Sequence, residues 1–319
     1  MGQKIKAYKG FDKDLSCRGF KYEVGKEYEE TGDIKACEKG FHACPYPLDV
    51  FSHYTPAWSR FCEVEQSGKI DDSESDKVCS SKIRIGAELD IRGLVKAAVS
   101  YVKERCTNEC NAKPGKPATA GDRGAATAGD YGAATAGYIG AATAGDYGAA
   151  TAGYRGAATA GDYGAATAGY RGAATAGDCG AATAGDCGAA TAGDYGAATA
   201  GNCGAATAGD RGAATAGNCG AATAGYRGAA TAGDYGAATA GDYGAATARG
   251  KASTGSNGLS VARGKNVQVK GGIGAILVIA EEGDDTYDIV DWKAVVVDGE
   301  VVKADTWYRL ENGELVEVD

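Results

Sequence analysis

Two histidines and eleven cysteines carry most of the side-chain chemistry available to this 319-residue chain. Cys37, His42 and Cys44 are zinc-ligand types, with Cys17 or Cys62 as a fourth, because thiolate sulfur and imidazole nitrogen together complete a tetrahedral site. No Cys-x-x-Cys occurs, and the one close pair, Cys106 and Cys110, lies far along the chain from the others. The simpler reading makes these cysteines small buried hydrophobes and His42 a satisfied turn residue, and no metal is expected. A phosphate-cradling G-x-x-x-x-G-K-[ST] loop, a nucleophile elbow and H-E-x-x-H are all missing. No cofactor follows from motifs, and a non-enzymatic protein is expected.

The elements that would hold these residues alternate like strands in Lys21 to Glu29 and Ser59 to Glu65. Between them Pro47 to Tyr54 reads as a short helix with proline at its tolerated N-terminal position. Leu94 to Cys106 reads as a longer helix, with Leu94, Ala97, Ala98, Tyr101 and Val102 on one apolar face. Its place just before a repeat suggests a cap on an open solenoid end.

The repeat fills residues 121–248, which is 128 residues or sixteen octads of the form Gly-x-x-Gly-Ala-Ala-Thr-Ala. Every second octad sorts the two variable slots. One series holds Tyr138, Tyr154 and Tyr170 in succession, then Cys187, Cys203 and Cys219; the other holds Asp130, Asp146, Asp162, Asp178, Asp194 and Asp210. A period of 16 predicts a β-solenoid with two octads per coil, because a disordered Gly/Ala linker has no reason to align residues two octads apart. Coils stacked at about 4.8 Å make eight of them a rod roughly 40 Å long. Gly-x-x-Gly is expected to form corners through positive φ at glycine. Ala126 and Ala128 are expected to face inward, leaving Ala125 and the threonines (Thr127, Thr135, Thr143, Thr151, Thr159 and Thr167) as a flat outward ladder on each side. The acidic row reads either as corner chemistry, each carboxylate accepting amides of the next turn, or as a charge strip that mimics nucleic acid or holds cations. Cys187, Cys203 and Cys219, on consecutive coils, fall near disulfide spacing and are expected as free thiols in a reducing cytoplasm.

The expected fold class is therefore mainly β: a solenoid of 16-residue coils, an α+β N-terminal domain and a β-hairpin C-terminal cap. Boundaries are placed at 1–112, 113–278 (regular 121–248, degenerate 249–278) and 279–319. Hairpins are expected around Asp298-Gly299 and Asn312-Gly313, with Trp292 and Trp307 as the core of the cap. The chain carries no signal-like start and no apolar run of about 18 residues, so no membrane partner is expected and the cytoplasm is its expected place. A net charge of −9 argues against phosphate-backbone binding, so nucleic acid is not an expected partner.

Thr-Ala-Gly-Tyr-Arg-Gly (151–156) and Thr-Ala-Gly-Asp-Tyr-Gly (159–164) resemble the octads of bacterial ice-nucleation proteins. That resemblance implies two octads per coil, a water-ordering threonine ladder and a tyrosine ladder that joins two solenoids. The strand here reads Ala-x-Thr where that family presents Thr-x-Thr, which halves the hydroxyls. Lys6 to Phe11 (KAYKGF) with Gly40 to Phe51 (GFHACPYPLDVF) resembles a group of uncharacterised bacterial and phage proteins in which such a domain precedes octad repeats, which implies a phage or prophage relation. Arg18-Gly19, Gly40-Phe41-His42 and the following helix resemble ADP-ribosyltransferase folds, which would make Arg18 and His42 nicotinamide-site residues and Glu63 or Glu65 the acid. The expected function is a scaffold for self-association, as a homodimer, or for partner binding through ladders of stacked side chains, Tyr138, Tyr154 and Tyr170 foremost, because tyrosine is a favoured interface residue. The alternatives are water ordering and an N-terminal enzyme.

Overall fold

The computed structural model describes residues 4–32, 34–35, 38–74, 76–105, 108–111, 114–283 and 287–318. It is mainly β, with a parallel solenoid of about 10 turns over residues 118–281. Ala133–Ala136 pairs in parallel with Ala149–Ala152, that with Ala165–Ala168, and so on to Ala213–Ala216, each residue facing the one sixteen further along. A second row runs from Gly124–Thr127 through Ala141–Thr143, Ala157–Thr159, Ala173–Thr175 and Ala189–Thr191 to Ala205–Thr207 in the same register. Alternation turns Ala126, Ala128, Ala134 and Ala136 inward, each at most 4% exposed, so two sheets meet across a core of methyl groups. Each alanine contributes little burial; stability accrues from the repeated ladder and from coil-on-coil stacking.

The corners are built differently from the glycine expectation. No glycine between 121 and 250 has positive φ; in most octads the left-handed residue is the second variable one, as at Tyr147, Tyr163, Cys179 and Arg211 (φ 55–56°), with Arg123, Ile139 and Arg155 as exceptions. Glycine serves close stacking instead. A Cβ on Gly161 would lie 2.8 Å from the amide nitrogen of Asp146 one coil earlier, and one on Gly164 would lie 2.8 Å from the Ala160 Cβ and 2.9 Å from the Gly148 carbonyl oxygen. Both are closer than real Cβ contacts allow.

At the start of the solenoid, Asn108–Asn111 and Ala118–Thr119 pair in parallel with Gly124–Thr127 and Ala133–Ala136. These strands, not the helix, close the end. After residue 232 the register slips and coils shorten (Ala237 faces Lys251), then larger apolar residues replace alanine in Leu259–Gly264 and Ile276–Glu282. Ile276–Glu282 turns the sheet antiparallel against Ile289–Val296. The Asn312-Gly313 hairpin joins Trp307–Glu311 to Glu314–Val318 as expected. Asp298-Gly299 makes no hairpin: the Asp298 carboxylate accepts the amides of Glu300, Val301 and Val302 and folds a tight turn. The cap core consists of Val267, Val269, Leu277, Ile279, Val297, Tyr308 and Leu310. Trp292 is 66% exposed and Trp307 half-buried, which corrects the expected tryptophan core.

The N-terminal unit is an antiparallel sheet in the order Ile5–Phe11, Arg60–Asp71, Val78–Leu89, Glu27–Glu29, with Phe41–Ala43 also on Val78–Leu89. Pro47–Ser52 is a single 3-10 segment with proline at its start, and Ile91–Arg105 is the long helix.

Candidate functional site

The helix Ile91–Arg105 lies lengthwise on one wall of the solenoid, touching the strands Ala141–Thr143, Ala157–Thr159, Ala173–Thr175, Ala189–Thr191 and Ala205–Thr207. Its apolar stripe, Leu94, Val95, Ala98 and Val102, packs on the flat surface made by the outward alanines Ala141, Ala157, Ala173, Ala189 and Ala205. The end-cap expectation is thereby corrected. The stripe and the five alanines share one buried cluster with Tyr46, Leu48, Val50, Phe51 and Phe61.

The variable residues of one corner recognise this docked domain. Arg155 and Arg171 reach Asp49 at 3.0 and 3.3 Å; the Asp49 side chain is 2% exposed. The Tyr46 hydroxyl donates to the Arg171 carbonyl at 3.0 Å, and Trp58 Nε1 donates to the Tyr235 carbonyl at 3.1 Å. Cys187 is buried in the shared cluster and Cys203 packs against it, both as free thiols; Cys219 is likewise free and half-buried. Farther on, Lys251 lies 4.5 Å from the Trp58 ring and 5.0 Å from that of Trp307, so one cation stitches domain, solenoid and cap. Burial and the neighbouring Lys13 push Lys251 down to about 8.

The opposite wall is open. Ala133, Thr135, Ala149, Thr151, Ala165 and Thr167 are exposed, as are the corresponding residues up to Ala229 and Thr231. Thr127 is exposed too, but Thr143 and Thr159 are half-buried beneath the helix, so the six threonines do not form two free ladders. The acidic row runs along a corner. Asp130, Asp146, Asp162, Asp178, Asp194 and Asp210 each accept the amide one coil later at 2.8–3.1 Å. Asn202 and Asn218 accept in the same manner on the other corner, so a neutral amide oxygen serves this bond as well as a carboxylate does.

Tyr138, Tyr154 and Tyr170 stack face to face with centroids 5.0 and 5.1 Å apart, beside the docked domain. A second ladder, Tyr131, Tyr147 and Tyr163, stacks at 5.1 and 5.0 Å within 5° of parallel on the free corner. It is the more open of the two, at 71, 54 and 58% exposure against 50% for Tyr138 and 38% for Tyr170. In the sequence this row is marked by the same 16-residue period and follows the Asp row by one position, although no role is expected of it there.

Of the residues with chemical potential, Cys17, Arg18, His42 and Cys44 meet at one cavity of about 570 Å³ in the N-terminal unit. Cys37 lies outside the described residues, and Cys62 lines another part of the core. Among the described residues no three His, Cys, Asp or Glu side chains converge as metal ligands. Glu63 and Glu65 do not line the cavity; they pair with Lys6 and Lys4 at the surface, 2.9 and 2.7 Å away. The glutamates at its edge are Glu29, Glu30 and Glu38. The Cys17 sulfur lies 2.8 Å from the Tyr54 hydroxyl. Burial first, then Lys9, Lys77 and Arg18, push His42 below its usual value, and burial pushes the Cys44 thiol up. Lys9 and Tyr54 were not singled out from the sequence; Lys9 stands in the KAYKGF stretch, where its strand neighbours Ala7 and Phe11 mark that face as inward.

Among the described residues no helix is long and apolar enough to cross a membrane. Residues 5–97, which hold the whole cavity and Asp49, match a domain of unknown function (DUF7666). No curated protein matches the chain. No solved structure matches it.

Proposed function

We propose that the protein is a rigid scaffold that associates with a second copy of itself through the open tyrosine ladder Tyr131, Tyr147 and Tyr163. One observation carries this reading: three large rings stand stacked in parallel planes on a free corner, held at coil spacing by the backbone, with more than half of each residue in contact with solvent. Pre-ordered tyrosines lose little rotamer entropy on contact and present a row of ring edges tipped with hydroxyls, which suits an interface. The other corner already has an occupant: its Arg155 and Arg171 hold the chain's own N-terminal domain.

Size-exclusion chromatography with light scattering tests this on three proteins. Wild type should run as a dimer or longer assembly, and Tyr131→Ser/Tyr147→Ser/Tyr163→Ser as a monomer. The matching Tyr138, Tyr154 and Tyr170 triple variant should keep the wild-type mass. A wild-type monomer, or an assembly insensitive to the first triple variant, refutes the proposal.

The open Ala/Thr wall favours a second reading, ordering of water on a flat array of methyls and hydroxyls. Purified protein should then raise the freezing temperature of dispersed droplets, and an unchanged freezing curve removes this reading.

A further inference from the structure

The cavity in the N-terminal unit contains a buried cation, Lys9, hydrogen-bonded to Cys17 and with no acidic partner among the described residues. Lys9 stands on the strand Ile5–Phe11 and is 6% exposed. Its ammonium donates to the His42 carbonyl at 2.9 Å and lies 5.6 and 6.0 Å from the Phe11 and Tyr22 ring centres. No carboxylate pairs with it among the described residues. An ammonium taken out of water into such surroundings is costly unless an anion meets it, and burial accordingly pushes its pKa down.

A second cation faces the same space. Arg18 is exposed, lines the cavity and forms no ion pair among the described residues. It holds a left-handed backbone (φ 51°) between Cys17 and Gly19, a conformation costly for a side chain this large. The three glutamates on the cavity edge are already engaged: Glu29 with Lys82 at 3.1 Å, Glu30 with Lys39 at 3.4 Å and Glu38 with Lys35. What remains is a positive end, Lys9 and Arg18, and an aromatic wall in which Phe20, Tyr22 and Tyr28 meet edge to face. A volume near 570 Å³ accommodates one small organic molecule.

We propose that this cavity binds a small ligand with a planar aromatic body and a single oxyanionic head, the head between Lys9 and Arg18 and the body against Tyr22 and Phe20. The ammonium supplies a point charge and the guanidinium a planar fork, which together fit a carboxylate or a phosphate group. A binding module of this kind, docked on a scaffold, is independent of how the scaffold associates.

The test uses full-length protein and three probes: 1-naphthyl phosphate, 1-naphthoate and 1-naphthol. Calorimetric titration should show saturable binding of at least one anion, with the preferred head identifying phosphate or carboxylate, and at least tenfold weaker binding of 1-naphthol. Lys9→Met, which removes the charge and keeps the stem packed, and Arg18→Ala, on the surface, should each weaken the preferred anion about tenfold or more. A bound anion should also slow iodoacetamide labelling of Cys17 but not of Cys179, which is exposed on the solenoid. Absence of saturable binding by both anions at millimolar concentration overturns the proposal. So does binding of 1-naphthol as tight as that of the anions, binding unaffected by both variants, or Cys17 labelling unchanged by bound anion.

Discussion

Asp49→Ala releases the N-terminal domain from the solenoid wall, at an expected cost of roughly 3–5 kcal/mol, the range for removing one partner of a buried ion pair. Arg155 and Arg171 are 21 and 15% exposed, and the buried Nε of each has no hydrogen-bond partner among the described residues. Without the carboxyl group, which offers them an acceptor oxygen whether ionised or protonated, they become two guanidiniums held against an apolar cluster. Amide exchange in Ile91–Arg105 should accelerate together with that in Ala157–Thr159 and Ala173–Thr175, and the melting transition should fall or split. A loss under about 1 kcal/mol with unchanged exchange would show that the apolar stripe alone holds the domain. Replacing Asp49, Arg155 and Arg171 all with Leu should recover most of the loss, since well-packed apolar residues often equal a buried ion pair.

The same carboxyl makes a signed pH prediction. Burial raises Asp49 from its ordinary 3.8 to about 6, against the opposing pull of Arg155 and Arg171. Between those pH values the folded chain holds a proton that the unfolded chain has released, so this group adds stability as pH falls through about 6. The margin of wild type over Asp49→Asn should therefore grow from pH 7 to pH 4, as read by denaturant unfolding. A shrinking margin would mean that the guanidiniums outweigh burial.

The solenoid was legible because its period is written in residue identities. Tyr138, Tyr154 and Tyr170 recur at 16 because they stack, and Ala126 and Ala128 repeat because nothing larger fits between the sheets. Less legible was anything that depends on what touches the solenoid from outside. Arg155 and Arg171 looked like fillers of a variable slot; their meaning lies in Asp49, more than a hundred residues away. The glycines were correctly placed at corners for an incorrect reason, because a close approach between coils leaves no trace in one octad read alone. Trp292 was assigned to the core on its type, and an edge strand with one solvated face has put it outside. In the cavity Arg18 and His42 were found by resemblance, whereas Glu63 and Glu65 point to surface lysines, a distinction set by strand parity that sequence alternation only suggests.

A leucine tells the two walls of a single strand apart. Ala166 is 1% exposed, paired in register with Ala150 and Ala182 and buried in the cluster that includes Ala158 and Ala174. Ala166→Leu inserts three carbons into a core one methyl deep on each side. Overpacking typically costs 1–3 kcal/mol where a core can shift; parallel ladders fixed above and below prevent that shift, so more than about 3 kcal/mol is expected here. Coil stability depends on nearest neighbours, so the damage should spread as local unzipping, with exchange fastest at Ala149–Ala152, Ala165–Ala168 and Ala181–Ala184. Ala165, its neighbour, is exposed on the open wall. Ala165→Leu should stay within about 0.5 kcal/mol of wild type. Equal losses from the two variants would contradict the inward and outward assignment. The harmless variant also separates the two functional readings: a leucine on the flat wall should abolish any effect on droplet freezing and leave the assembled mass unchanged, because the tyrosine ladder lies on the corner and not on the wall.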